Sequence, residues 1–316
     1  MSRWRDIVHS LGAQPGYTLM RGAARFRSLR YVVGRSRGML HGSRLRAFLA
    51  DCEARLAQSV FADIDRHDFD RHDFVQRLRE DGVAFGLKLP PEITREILDH
   101  AARNPCHADR RPGSGFHLAD RAQAEARLGK PILVAQYFNA GAQSPAIARL
   151  LADPLLRWIA ASYLESVPTF VGANLWWTFP VQASEEDRDR HAHLFHRDVD
   201  DFRFFKFFFY LTDVEPGDGA HVCVVASHRR PPMLRTGDRW NLRRYSDAEI
   251  EQSFPADQVV EVCGPAGTGF AENTLCVHKG LTPTREARLL LQLQYALFDY
   301  GVMHDQRDPA VLQMIA

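Results

Sequence analysis

The segment FRFFKFFFY, Phe202 to Tyr210, holds six phenylalanines and a tyrosine in nine residues and is the longest β-like run in the chain. Aromatic side chains suit a pleated, half-buried surface, so the segment predicts a strand. It does not stand alone. After residue 168 come TFVGANLWWTFP, HVCVVAS, VVEVCG, GTGFAENTLCVH and RLLLQLQYALFDY, separated by Pro, Gly and Asp turns. Short strands at regular spacing with no long helix between them predict an antiparallel jelly roll or barrel. One brief helix interrupts them, where Ser246 and Glu249 form a capping-box pattern in YSDAEIEQSF.

The first half reads differently. LRAFLADCEARLAQSVF, from Leu45, repeats apolar residues at helical spacing. DFVQRLREDGVAFGLKLPPEITREILDHAA predicts helix, turn, short strand and a second helix entered through Pro90 and Pro91, with Ile93, Ile97 and Ala101 on one face. Asp153 before Pro154 predicts the cap of another helix, PLLRWIAASYL. The chain is therefore expected to be mainly β with helices: a double-stranded β-helix, cupin-like, with an N-terminal helical layer. Residues 1–60 form a basic helical extension in this reading, and 61–316 the barrel domain with an insertion around 229–258.

Composition limits the function classes. A net charge of +1 with 25% charged and 45% hydrophobic residues is that of an ordinary water-soluble domain. No stretch is apolar enough to span a membrane or act as a secretory signal, so a cytoplasmic location is expected. Five scattered cysteines without a CxxC pair predict neither a disulfide framework nor a structural zinc site. Residues 1–46 carry ten arginines against one acid, Asp6. Three readings stay open for them: a peripheral docking surface for anionic lipid, a cleaved targeting segment, or a solvated helical face. No reading motif accompanies the charge, so nucleic acid is not an expected partner.

His196 and Asp198 form H-x-D directly ahead of the phenylalanine run. Two apart in an extended segment, their side chains leave the same face and can meet one ion. A second H-x-D, His107 and Asp109, sits among arginines and prolines without a strand pattern and reads as a loop. His278 closes a predicted strand 82 residues after His196 and supplies a third ligand. Two histidines and one carboxylate with open positions suit non-haem Fe(II) chemistry. Arg288, ten residues further, opens RLLLQLQYAL. If it points inward, Leu290, Gln292 and Gln294 do too, while Leu289, Leu291, Leu293 and Tyr295 face a helical layer. A guanidinium so placed can grip a carboxylate bidentately. Arg285, three residues earlier, is the alternative.

Together, HLFHRDVDDF…YLTDVEPGDGAHVCVVASHR, GTGFAENTLCVHKG and REARLLLQLQYA resemble the phytanoyl-CoA dioxygenase family of Fe(II)- and 2-oxoglutarate-dependent oxygenases. The likeness runs from about Asp73 to Phe298. It implies a double-stranded β-helix in which His196, Asp198 and His278 hold iron and Arg288 binds the distal carboxylate of 2-oxoglutarate. The implied reaction consumes O2, decarboxylates 2-oxoglutarate to succinate and hydroxylates a C–H bond, with desaturation or ring formation as variants. Because Asp198 is a carboxylate, the halide-admitting variant of the family is not expected. Phe179 stands before Pro180 where the family often has lysine, so the resemblance assigns that position no cosubstrate contact.

Other residues are second-tier candidates. Lys206 and Tyr210 share the parity of His196 and Asp198; Lys206 is either a carboxylate anchor for 2-oxoglutarate or a lysine at a sheet edge. Asn174, Trp176 and Thr178 share one face of an earlier strand, and Thr178 and Gln292 join the expected cosubstrate contacts. His193 and His228 are expected as hydrogen-bonding supports, Asp200 and Asp201 as turn residues, and His67 and His72 as turn or cap residues. The arginines of the 229–258 connection (Arg229, Arg230, Arg235, Arg239, Arg243, Arg244) point to an anionic small molecule or saccharide, or form a solvated loop. A non-catalytic cupin-like binding protein and a membrane-docked hydroxylase of a lipid-linked sugar are the alternatives. Oligomeric state is not readable.

Overall fold

The computed structural model describes residues 15–62, 69–229, 243–301, 303 and 305–315. The expectations for His67, Arg230, Arg235 and Arg239 fall outside them. Among the described residues eleven strands form the barrel: β1 (Val83–Lys88), β2 (Cys106–Ala108), β3 (Gly115–Phe116), β4 (Val134–Tyr137), β5 (Thr169–Thr178), β6 (Phe204–Tyr210), β7 (His221–Val224), β8 (Val259–Val262), β9 (Thr268–Glu272), β10 (His278–Gly280) and β11 (Arg288–Ala296). The major sheet has the order β1-β9-β6-β11-β5-β4-β2-β3, and the minor sheet β10-β7-β8. Every strand pair is antiparallel, as the jelly-roll reading requires.

Alternation divides the strands into two chemistries. Leu289, Leu291, Leu293 and Tyr295 of β11 join Phe205, Phe207 and Phe209 of β6 in the large core beneath the helices. There Tyr163, from the Pro154–Leu164 helix, meets Phe205 edge-on with ring centroids 5.0 Å apart. The opposite parity, Arg288, Leu290, Gln292 and Gln294 with Lys206 and Phe208, lines the barrel's cavity. The phenylalanine run is thus buried on both faces, because it has a helical layer on one side and the cavity wall on the other. Burying each such ring is worth about 1.5–3 kcal/mol.

The helical layer is tied in by caps. Asp153 accepts from Leu155 N and Leu156 N at 2.9 and 3.1 Å, and its other oxygen takes Ser59 Oγ and Val60 N. One carboxylate therefore starts the Pro154–Leu164 helix and anchors the end of the N-terminal segment. That segment packs closely on the barrel: Ala24 is buried with Val171, Phe204 and Ala296, and Cys52 lies in the main core. The capping box at Ser246 and Glu249 is present as expected.

Candidate metal centre

His196 and His278 face each other across an antiparallel bridge in which each N–H donates to the other's carbonyl at 2.9 Å. This brings their ring centroids to 4.2 Å. Asp198 N donates to Thr274 O at 2.8 Å and fixes the carboxylate beside them. The Nδ1 atoms lie 2.9 Å from Leu194 O and 3.0 Å from Cys276 O. A carbonyl only accepts, so each Nδ1 carries the proton and each Nε2 presents its lone pair. Those Nε2 atoms stand 3.7 and 3.6 Å from the Asp198 oxygens, and the three candidate ligand atoms all lie within 4.8 Å of one another. Among the described residues no other trio of His, Cys, Asp or Glu comes this close.

Protonation matches the geometry. Burial holds both histidines below the ordinary imidazole range, His196 well below it. Burial would raise the Asp198 carboxyl, but Lys206, His278 and His196 override it and keep Asp198 ionised. Two neutral imidazoles and one carboxylate are the species a divalent cation binds. The donor set fits Fe(II), with positions left for a chelating cosubstrate.

Lys206 faces the cavity, as its parity predicted, with Nζ 2.5 Å from Asp198 Oδ2. Arg288 stands at the other end of the β11 ladder, six residues from Gln294, the register partner of Lys206. It is buried and donates to Gly219 O and, at 3.4 Å, to Thr178 Oγ1, while its Nε has no hydrogen-bond partner. A buried guanidinium with an unused donor is poised to take an anion. Thr178 is fully buried behind it, and Gln292 lines the cavity directly. Arg285 points away, exposed, toward Glu215 and Pro216 O. Phe179 is buried and stacks on Trp177.

The supporting residues are only partly those expected. His193 Nδ1 lies 2.8 Å from Thr282 Oγ1, and His228 lies 3.2 Å from Cys276 Sγ; both act as supports. His107 is not in a loop: it lies in β2, buried, against the ring of Phe138 at 5.2 Å. Asp201 is no plain turn residue either. It is fully buried, accepts from Phe298 N and Phe202 N, and burial lifts its carboxyl to about 7. Asp200 reaches the cavity and takes Gln294 Nε2 at 3.1 Å.

His221, Tyr17 and Arg21 line the cavity without a signal in the sequence pattern, and Glu272 lies outside the lining. Glu272 and His221 pair at 2.6 Å behind His278; burial raises Glu272 to about 8 and, with Arg288 and Lys206, lowers His221 to about 3. Period-two alternation from Phe270 was the available signal for Glu272. Tyr17 and Arg21, from the Pro15–Ala24 helix, also line the cavity, and Arg21 Nε donates to Val199 O at 3.0 Å. Among the described residues of the basic N-terminus, Arg21 thus belongs to the pocket. Leu29, Tyr31, Val32, Met39 and Leu40 of the following helix, Arg27–Leu40, are exposed.

The cavity has a volume of about 280 Å³.

No protein-family model matches the chain, and no curated protein does. Solved structures do. HygX from Streptomyces hygroscopicus, solved with nickel and 2-oxoglutarate bound, is 16% identical with a TM-score of 0.50, over 72% of this chain and 88% of that one. AviO1 from Streptomyces viridochromogenes is 17% identical with a TM-score of 0.48, over 72% of this chain and 95% of that one. The non-haem α-ketoglutarate-dependent epimerase SnoN, from nogalamycin biosynthesis, is 18% identical with a TM-score of 0.47, over 72% and 82%. At these identities the likeness to HygX is one of fold, and the fold is the jelly roll expected from the strand pattern.

Proposed function

We propose that this chain is a non-haem Fe(II)- and 2-oxoglutarate-dependent dioxygenase that hydroxylates a C–H bond of a small molecule, forming succinate and CO2 from the cosubstrate. The observation that carries the reading is the convergence, on one cavity, of His196 Nε2, His278 Nε2 and the Asp198 carboxylate with the partly unsatisfied guanidinium of Arg288. Nickel and 2-oxoglutarate in HygX, which shares the fold, support it by analogy.

The residues divide the work. Iron, when bound, supplies the activation of dioxygen. His196, Asp198 and His278 hold it, with the two Nδ1–H···O=C bonds fixing ring orientation. Arg288 grips the distal carboxylate, and Gly219 O and Thr178 keep its guanidinium plane in place. Gln292 offers an amide to the same cosubstrate. Lys206 balances the charge of Asp198 at the metal end, where we place it as a second cosubstrate-facing cation. Trp176, Phe208 and Leu290 form the apolar part of the wall and limit water.

Anaerobic loading with Fe(II) and 2-oxoglutarate, followed by oxygen, tests the reading. Oxygen-dependent succinate formation is expected; binding of both ligands with no oxygen consumption across a broad substrate panel would favour a non-catalytic binding protein. A membrane-docked form draws support from the exposed apolar side chains of the Arg27–Leu40 helix. It requires co-sedimentation with anionic liposomes, weakened by Tyr31→Ser with Met39→Ser. No helix among the described residues is long and apolar enough to cross a membrane.

A further inference from the structure

The cations lining the cavity are unequally committed. Lys206 pairs with Asp198, and Arg21 lies 3.7 Å from Asp200 while donating to Val199 O. Arg288 is framed by Gly219 and Thr178. Arg110 differs from all three. Its guanidinium stands over the ring of Trp176, 5.4 Å from the centroid, and lines the cavity. Among the described residues it has no ion pair, and its side chain has no hydrogen bond.

The chain holds Arg110 there against its conformational preference. Asp109 and Arg110 have φ values of 52° and 60°, the left-handed region that residues with a Cβ seldom occupy. Asp109 N donates to Val134 O at 2.8 Å and Arg110 N to His107 O at 3.3 Å. The Asp109 carboxylate, itself buried, takes Lys130 Nζ at 2.5 Å and stands 3.4 Å from His191 Nε2. His191 also lines the cavity; its side chain is 1% exposed, and neither ring nitrogen has a hydrogen-bond partner. A strained turn, a buried carboxylate and a buried imidazole together present at the cavity a guanidinium that is open to solvent and carries no ion-pair or hydrogen-bond partner among the described residues.

The described arginines of the 229–258 connection, by contrast, are occupied elsewhere. Arg243 pairs with Glu249 at 2.9 Å, Arg244 with Asp189 at 2.5 Å, and Arg229 donates to Arg79 O at 3.2 Å; none lines the cavity.

We infer that Arg110 receives an oxyanion of the substrate, a carboxylate or phosphate, separately from the cosubstrate carboxylate at Arg288. The substrate is then an anionic small molecule whose charged group sits against Trp176 and fixes which C–H bond faces the metal. This rests on the dioxygenase reading for the role of Arg288.

The test uses the full-length chain loaded with Ni(II) and saturating 2-oxoglutarate, titrated calorimetrically with sulfate as the oxyanion probe. Saturable sulfate binding is expected. Arg110→Gln should weaken it about tenfold or more and Arg110→Lys less, as loss of a charge-assisted hydrogen bond implies. The affinity for 2-oxoglutarate should stay within about twofold of the parent, as expected for a contact outside that site. Absence of saturable sulfate binding, sulfate affinity indifferent to Arg110→Gln, or a parallel fall in 2-oxoglutarate affinity would each overturn the inference. If the chain binds neither Ni(II) nor 2-oxoglutarate, the dioxygenase reading fails on its own. Sulfate titration of metal-free Arg288→Gln protein, with and without Arg110→Gln, then still decides the role of Arg110.

Discussion

Two H-x-D triplets occupy this chain, and they do different things. His196 and Asp198 lie in an extended segment bridged to His278, and their ligand atoms converge. His107 packs on Phe138 from within β2, while Asp109, just past its end, has turned into the left-handed region and holds Lys130 and His191. The triplets share residue types and spacing but not backbone. Where extended conformation continues through both residues, imidazole and carboxylate share a face; where the strand ends between them, they part. A distant histidine then decides whether the shared face becomes a metal site.

The largest expected effect separates the triplets directly. Asp198→Ala or His278→Ala should weaken divalent-metal binding by roughly 100-fold or more and abolish succinate formation, because the proposed site draws on three protein ligands among the described residues. Asp109→Ala should leave metal affinity within about twofold, measured by competition with a chelating dye, because it contributes no ligand. Next comes the cosubstrate end. Arg288→Lys should raise the Kd for 2-oxoglutarate about 10-fold to 100-fold with metal affinity unchanged, since a bidentate fork is replaced by a point charge. An unchanged Kd would redirect the carboxylate to Lys206.

Asp109→Asn sharpens the structural half of the comparison. Lys130 is one-third exposed, so solvent discounts the pair, and a loss of about 1–2 kcal/mol in thermal or urea unfolding is expected. Asp201 gives a pH signature. Burial raises its folded-state carboxyl to about 7, above the unfolded value of about 3.9. The folded state therefore holds the proton more tightly; this stabilisation is complete below about pH 4 and is lost as pH rises through about 7. Asp201→Asn should flatten the decline, so its stability relative to the parent rises across that window. Equal pH slopes in unfolding titrations would contradict the assignment. The smallest effect is expected from Arg285→Ala, whose exposed side chain should matter little to 2-oxoglutarate affinity.

What was legible follows the same division. Strands β5, β6 and β11 announced themselves because seven to ten residues are enough to show alternation, and one inward residue then placed the rest. Strands β2, β3 and β4, of two to four residues, are too short to show a period. The left-handed turn at Asp109 and Arg110 has no glycine or asparagine to signal it, so Arg110 could not be placed in the cavity. Tyr17 and Arg21 reach the site through packing of the N-terminal helix, which spacing along the chain does not encode. The insertion's arginines drew attention by number, yet those described are spent on local carboxylates and carbonyls.

The central claim is that His196, Asp198 and His278 hold a metal to which 2-oxoglutarate binds with help from Arg288. Anaerobic equilibrium binding of Fe(II) and 2-oxoglutarate to the full-length chain tests it most directly. A single high-affinity Fe(II), metal-dependent binding of 2-oxoglutarate, and loss of both in Asp198→Ala but not in Asp109→Ala are predicted. Equal Fe(II) binding in the Asp198→Ala chain, or 2-oxoglutarate binding indifferent to metal, would contradict the account.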